Sequence, residues 1–598
     1  MTRREAILLV CCGLTALLGA ALPTLARGAA SQATHAASST DARFEALYRR
    51  EWAWRKREIG IEDEDDSNLP IRSHLPDVSA AAQAKRLAYL EDVRAQLGAV
   101  APASLSPKAQ VDYAVYRTQI DALIARLRFR DYEKPLSSAG GFWSGAVRDA
   151  RRPFRTEQDY LNLIALMRDV PRYFAQQTEN MQAGLARGFT APRVTLQGRD
   201  VAVAAIAEAA TPDATPWYLP FRSMPAGIPE ARQAALRAEA AAAIREAVIP
   251  AYQRLLTYLR GTYMPGARAT LAAEALPDGK AYYQSKIREF VTLDLTPEQI
   301  HAIGLREVAT IQAEMAATIR ETGFKGDLPA FFDFLRTDPR FYPKTEEQLL
   351  REAAWISKRF DAKANLWFGR MPRRRFGITP MPAATAPFST YALGGPGYYL
   401  LNTYDLPSRP LYVLTALTLH ESAPGHGFQM PLAEENGDQP DFRRKVYMSA
   451  YGEGWGLYCE KLGVEMGMYE TPYDRFGMLN YQVWRAVRLV VDTGLHAKGW
   501  SRDQAVAYMR NNTSLTQREI DSEVDRYIAG PGQALSYYLG EMAILDARAK
   551  AEKALGPKFD IRAFHDAVLE LGSVPLPVLS ARIDRFIAEG GRSPWPAP

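Results

Sequence analysis

The sequence predicts a mostly α-helical protein. Three observations carry that expectation. Apolar residues recur at helical spacing along most of the 598 residues, Ala- and Arg-rich stretches of high helix propensity recur, and strand-like chemistry is confined to one short run. Hydrophobic residues make up 47% and charged residues 24%, the balance of an ordinary globular chain, so a core can form from packing alone.

The elements follow in order. Residues 80–97 keep Leu, Tyr and Val on one face. Residues 106–131 do the same with Tyr113, Tyr116, Ile120, Leu123 and Leu127. Residues 156–188 form a long helical pattern with an expected kink at Pro171, and 229–263 a second with a break at Pro250. Thr296-Pro297-Glu298 supplies a cap, a first-turn proline and an acidic first turn for a helix to about residue 322. The strand run is Tyr398-Tyr399-Leu400-Leu401-Asn402, after the turn residues Gly394-Gly395-Pro396-Gly397. It is read as an edge strand, able to pair with an extended peptide. From 411 onward the pattern is helical, and no fixed-period repeat occurs. The expected organisation is a helical N-terminal region, 42–290, and a helical region carrying the chemistry, 291–598, packed as two lobes.

The N-terminus reads as a secretory signal peptide over 1–30. Arg3 and Arg4 precede an uncharged Leu/Ala-rich stretch that ends in small residues. Residues 31–41 read as a flexible leader. Cys11 and Cys12 follow neither Gly nor Ala, which argues against a lipoprotein signal. Cleavage leaves Cys459 alone, so no internal disulfide can form. It also lowers the formal charge from +5 to near +3, which gives no electrostatic case for nucleic acid. The expected location is periplasmic or secreted, with no stable membrane partner once the signal is removed. Oligomeric state is not legible.

The densest chemistry is His420-Glu421-Ser422-Ala423-Pro424-Gly425-His426, at the end of an apolar run from Leu411. An imidazole beside a carboxylate suits a hydrolytic zinc site, in which the carboxylate takes a proton from water. The usual second His lies four residues on, where this chain has Pro424. At ~100° per residue, an ideal helix would carry His426 about 120° off the face of His420. Pro424, lacking an N–H, and the permissive Gly425 are expected to bend the chain and return His426 to the metal. Glu453, between Gly452 and Gly454, is the candidate third ligand. Glu460, seven residues on, is a candidate partner for a ligand His. One zinc ion is the expected cofactor.

These segments resemble the bacterial family known as domain of unknown function 885. The likeness runs through Asn402-Thr403-Tyr404-Asp405, His420–His426, Glu453-Gly454-Trp455, Asp492-Thr493-Gly494-Leu495-His496, Arg526-Tyr527 and Pro531–Tyr537. It implies a mostly helical, two-lobed, gluzincin-like metallopeptidase fold with a small β element beside the cleft. It also implies His420, His426 and Glu453 as ligands and Glu421 as general base. Tyr527, Tyr537 and Tyr538 are candidate oxyanion donors, Tyr537 being favoured. Arg488, Asp492 and His496, spaced by four, are expected to support the site, with Asp492 holding His496, which is grouped with the catalytic residues. Asn402, Tyr404, Arg526 and Tyr527 are candidate substrate contacts. Arg526 either binds a substrate carboxylate or pairs with Glu523 or Asp525. Gly452, Gly456 and Gly530 replace larger family residues and are expected to loosen the packing. The implied activity is a zinc-dependent peptidase acting on a peptide or small amide. The rivals are a hydrolase of a non-peptide amide or modified dipeptide, and a non-catalytic, metal-stabilised periplasmic binding protein.

Overall fold

A computed structural model describes residues 25–59, 70–137, 140–383 and 385–595. Residues 1–24 of the expected signal peptide, with Cys11 and Cys12, lie outside them. Residues 31–41, expected as a leader, fall within the first helix. The fold is mostly helical with a small three-stranded sheet. Among the described residues, no helix is long and apolar enough to cross a membrane.

Three helices open the chain: α1 (Leu25–Ile59), α2 (Ala80–Gly98) and α3 (Pro107–Arg128). Then α4 (Glu157–Ala186) starts in a capping box formed by Thr156 and Asp159 and continues through Pro171 without ending there. Pro250 is the second residue of a helical segment, Ile249–Tyr258, entered through the π-helical turn Ile244–Val248. α5 (Pro297–Thr322) begins as its sequence signals require, with Thr296 and Gln299 satisfying each other's backbone N–H.

The buried apolar residues form two clusters. One, drawn from 71–267, gathers Trp143, Leu163, Trp217, Tyr252 and Tyr263. The other joins Phe44, Leu90 and Tyr116 of the opening helices to the chain after residue 273, including Ile300, Trp455, Val487 and Phe564. Opening helices and C-terminal half therefore share one core, tied further by the buried ion pair of Asp112 and Arg443, 2.5 Å apart.

Six helices build that second core around the site: α6 (Leu414–Glu421), α7 (His426–Glu434), α8 (Ser449–Glu465), α9 (Pro472–Ala497), α10 (Gln517–Ala529) and α11 (Ser536–Leu555). α9 is the central one. Every residue from Phe476 to His496 is buried. α5 packs along it, and α8 packs along α11. A helix buried on all faces must find internal partners for each polar side chain it carries, here Asn480, Gln482, Arg485, Arg488, Asp492 and His496.

The strand expectation needs a correction. Tyr398–Leu401 is the central strand. The sheet consists of β1 (Gly377–Pro380), β2 (Ala392–Gly395) and β3 (Tyr398–Leu401), in the order β1-β3-β2. β1 pairs with β3 in parallel and β2 pairs with it antiparallel, so neither side of β3 is open. The flanking strands were hidden in the sequence because Gly and Pro, which weaken strand signals, make up half of each. The edges belong to β1 and β2, and β2 is the one beside the cleft.

Because α6 is wholly buried up to His420, its packing fixes where that ring sits. Leu419→Ala should cost about 2–5 kcal/mol of unfolding free energy, read as a drop in the urea midpoint. A midpoint unchanged within error would contradict the packing described for α6.

Candidate metal centre

The His420–His426 segment is two helices joined by a reversal. α6 ends at Glu421 and α7 begins at His426. Between them the Ala423–Pro424 peptide is cis. The Ser422 N–H still bonds to the Thr418 carbonyl at 2.9 Å, and the Gly425 N–H reaches back to the Leu419 carbonyl, also at 2.9 Å. Gly425 packs so tightly on the end of α6 that an added Cβ would lie 1.8 Å from the His420 carbonyl oxygen. From α8, the Trp455 indole N–H donates to the Pro424 carbonyl at 2.8 Å and pins the turn. The result is that two imidazoles six positions apart meet edge to face, ring centroids 4.8 Å apart.

Glu453 enters from α8. Its Oε2 lies 3.4 Å from His420 Nε2 and 3.3 Å from His426 Nε2. Zinc bonds of ~2.0–2.1 Å in a tetrahedron set donor atoms roughly 3.3–3.4 Å apart, so these separations match two edges of such a site. The three donor atoms all lie within 4.8 Å of one another. The donor set and spacing fit one divalent ion, and two imidazoles with one carboxylate suit zinc.

The surroundings hold these donors in place. His420 Nδ1 is 2.8 Å from Glu460 Oε1, which directs Nε2 towards Glu453. The Tyr447 hydroxyl donates to Glu453 Oε1 at 2.9 Å. His426 Nδ1 is buried and has no hydrogen-bond partner among the described residues. Burial opposes charge on Glu453, yet the facing His426 and His420 hold its carboxyl well below the usual range. Burial likewise opposes charge on His420, but Glu453 and Glu460 outweigh it and raise the imidazole to about 9. Carboxylates in this pocket therefore favour a positive charge among them.

The glycines expected to loosen the site do the reverse at two positions. A Cβ at Gly456 would meet the His420 ring at 2.7–2.9 Å, and one at Gly452 would lie 2.3–2.6 Å from the Tyr447 ring. Each glycine gives an aromatic ring its seat. Gly530 has no such neighbour, its nearest atom being 3.5 Å away.

The donors open into a cleft of about 390 Å³. Glu421 and Tyr537 line it, as do Gly394 of β2, Tyr447, Arg485, Arg488 and Arg526. Glu421 Oε2 accepts the Gly394 N–H at 2.6 Å. The Tyr537 ring lies nearly parallel to that of His420, centroids 6.3 Å apart.

His496 is not in the cleft. Its ring is fully buried between the Ala273 N–H, 3.1 Å from Nδ1, and the Tyr527 carbonyl, 2.9 Å from Nε2. Burial drops its pKa to about 3, so it is a neutral brace between segments. Asp492 does not hold it. That carboxylate accepts from the Tyr283 hydroxyl at 2.6 Å and the Gly532 N–H at 3.2 Å.

The expected substrate contacts also divide. Asn402 is buried, its amide donating to the carbonyls of Ala386, Ser389 and Thr390, so it braces the loop leading into β2. Tyr404 is exposed and stacks under Arg518, 4.8 Å from its guanidinium carbon. The buried Tyr527 hydroxyl is engaged by Trp484, Arg488 and Glu523. Tyr538 bonds to Glu307. Arg526 alone of the four lines the cleft, and it pairs with Glu523 and Gln533. Sequence reasoning missed Tyr447 and Arg485. No local pattern marked Tyr447, whereas Arg485, three residues before Arg488 on one helix face, was within reach of the periodicity argument.

A model of the family described as "Bacterial protein of unknown function (DUF885)" matches residues 55–583. Comparison with curated proteins finds no match. Solved structures with a similar fold include two that are each described as a "putative lipoprotein". The one from Colwellia psychrerythraea is 28% identical, with a TM-score of 0.81, covering 93% of this chain and 99% of that one. The one from Shewanella oneidensis is 19% identical, with a TM-score of 0.67, covering 90% of this chain and 98% of that one.

Two substitutions test the support of the donors without replacing them. Glu460→Gln and Gly456→Ala should each weaken zinc binding about 10–100-fold, measured by competition with a chelator, with helical content by circular dichroism unchanged. Unaltered affinity in both variants would refute the placement of His420 as a ligand.

Proposed function

This chain belongs to the bacterial family of unknown function DUF885, and from its site we propose that it is a zinc-dependent peptidase of gluzincin-like design. The observation that carries the reading is the convergence of His420, His426 and Glu453 in a cleft whose wall includes Glu421. A structural metal site is closed by its protein ligands, whereas this one has three protein donors and a carboxylate beside an open space, as hydrolytic sites do.

A zinc ion held there would supply Lewis acidity towards a carbonyl oxygen and make water acidic enough to attack at neutral pH. Glu421 takes the proton from the attacking water and passes it to the departing amine. The Gly394 N–H at 2.6 Å fixes the orientation of that carboxylate from the sheet side. Tyr537 serves the oxyanion. Burial raises its pKa above the ordinary tyrosine value, so at neutral pH the hydroxyl keeps the proton it donates. Neither His496 nor Tyr527 takes part.

β2 gives the substrate a backbone rail. The Asn402 N–H bonds to the Tyr391 carbonyl, and Leu393 pairs with Leu400, so alternation turns the peptide groups of Ala392 and Gly394 away from β3. The Gly394 N–H is used by Glu421, and Ala392 presents its N–H and carbonyl to an extended peptide. The rail sits beside the donors because β2 follows the brace made by Asn402. With the signal peptide removed, the enzyme would act in the periplasm or outside the cell.

Glu421→Gln should retain stoichiometric zinc and lose peptide hydrolysis by at least about 10²–10⁴-fold. Turnover within tenfold of the parent would remove Glu421 as the base. Tyr537→Phe should lower kcat about 10²–10³-fold with little change in KM. A change confined to KM would assign the ring to binding.

A further inference from the structure

Three arginines line the cleft. Arg485 and Arg488 sit three residues apart on the buried helix α9, and only 4% and 3% of their surface is exposed, yet both line the cleft. Their hydrogen bonding is incomplete. Arg488 donates from Nε to the Tyr527 hydroxyl and from Nη2 to Glu523, both at 2.8 Å, while Nη1 has no partner among the described residues. In Arg485, Nε and Nη1 have none, and Nη2 lies 3.4 Å from Glu460 Oε1, an oxygen already bonded to His420. Arg526 adds a third guanidinium, and among the described residues the three form ion pairs with two carboxylates, Glu523 and Glu460.

Side-chain flexibility does not account for the unmet donors. The Arg485 and Arg488 guanidinium carbons lie 4.1 and 4.2 Å from the Trp484 ring centroid, and that of Arg488 lies 4.3 Å from the Tyr537 ring. Aromatic faces thus hold both groups in place. Buried N–H groups without acceptors are costly, and a planar guanidinium is matched by the two oxygens of a carboxylate.

We propose that Arg485 and Arg488 form the subsite for the free C-terminal carboxylate of the peptide substrate, so that the enzyme removes residues from the C-terminus. This rests on the peptidase reading above. The spacing supports the exopeptidase sense. Arg485 is linked to the back of His420 through a single carboxylate, Glu460, and the Tyr537 ring neighbours both His420, centroids 6.3 Å apart, and Arg488, 4.3 Å from its guanidinium carbon. These separations keep the Arg488 guanidinium within about 11 Å of the His420 ring, a span that a peptide crosses in one or two residues. Arg526, considered for this role from sequence, has its guanidinium committed to Glu523 and Gln533.

The test separates binding from turnover. The zinc-loaded Glu421→Gln protein is titrated calorimetrically with an N-acetylated tetrapeptide as free acid, as C-terminal amide, and as an amide ending in Glu. The free acid should bind at least about 30-fold more tightly than either amide, as loss of one partner of a buried charge pair implies. Adding Arg488→Met, or Arg485→Lys, should abolish that preference while zinc content stays at one per chain. Arg488→Met is the variant farther from the donors, so it carries the test if Arg485→Lys disturbs the metal. On the catalytically intact protein, the products should be single residues or dipeptides released from the C-terminus. Equal binding of acid and amide, a preference surviving Arg488→Met, or an amide ending in Glu binding as well as the free acid would overturn the assignment. A free acid that binds with the stated preference but is never hydrolysed would fail the peptidase reading and leave the carboxylate subsite standing.

Discussion

The site depends on carboxylates kept out of water. Glu453 and Glu460 enter a pocket walled by Trp455, Tyr447 and the end of a wholly buried helix, Glu460 fully buried and Glu453 reaching the cleft with only a small part of its side chain exposed. A buried carboxylate persists only beside positive charge or strong donors. Glu460 is answered by His420 Nδ1 and Arg485, and Glu453 by the two imidazoles and the Tyr447 hydroxyl. This electrostatic demand orders the pocket. It turns His420 so that Nε2 faces Glu453, and it favours a cation among the donors.

The backbone makes that arrangement reachable. α6 cannot continue through Pro424, and the chain doubles back so closely that Gly425 lies against the carbonyl of His420. α8 then closes on the reversal through Trp455, and the missing side chain at Gly456 leaves space for the imidazole. Small residues and one aromatic anchor do together what a regular helix with His at four-residue spacing does in the common zinc motif.

The cleft carries both signs of charge. Glu421, Glu453 and the strand edge at Gly394 line it together with Arg485, Arg488 and Arg526, the last two paired with Glu523. α9 supplies two of those arginines from inside the core, where aromatic faces hold their guanidinium groups. The same helix keeps Asp492 and His496 on the far side, bonded to Tyr283, Ala273, Gly532 and Tyr527. One helix therefore divides its polar residues between a group that lines the cleft and a bracing group.

Much of this was legible in the residues themselves. Helical periodicity identified the fold class, a capping residue located Thr296 as a helix start, and the chemistry of a His-Glu pair with a glycine-flanked Glu picked out the residues that meet at the site. Glu460 was found by seven-residue spacing. These are local properties, because propensity, caps and ligand chemistry act over a turn or two of chain. The rest was decided by packing. Whether Tyr398–Leu401 is edge or centre depends on strands whose own signal is weak. The same four-residue spacing that grouped Arg488 with His496 could not say which would reach the cleft. Gly456 read as lost bulk until the ring it seats was seen beside it. Sequence determines which side chains can bind a metal or a carboxylate; only the folded chain decides which of them share one space, since contacts between distant segments set direction and burial.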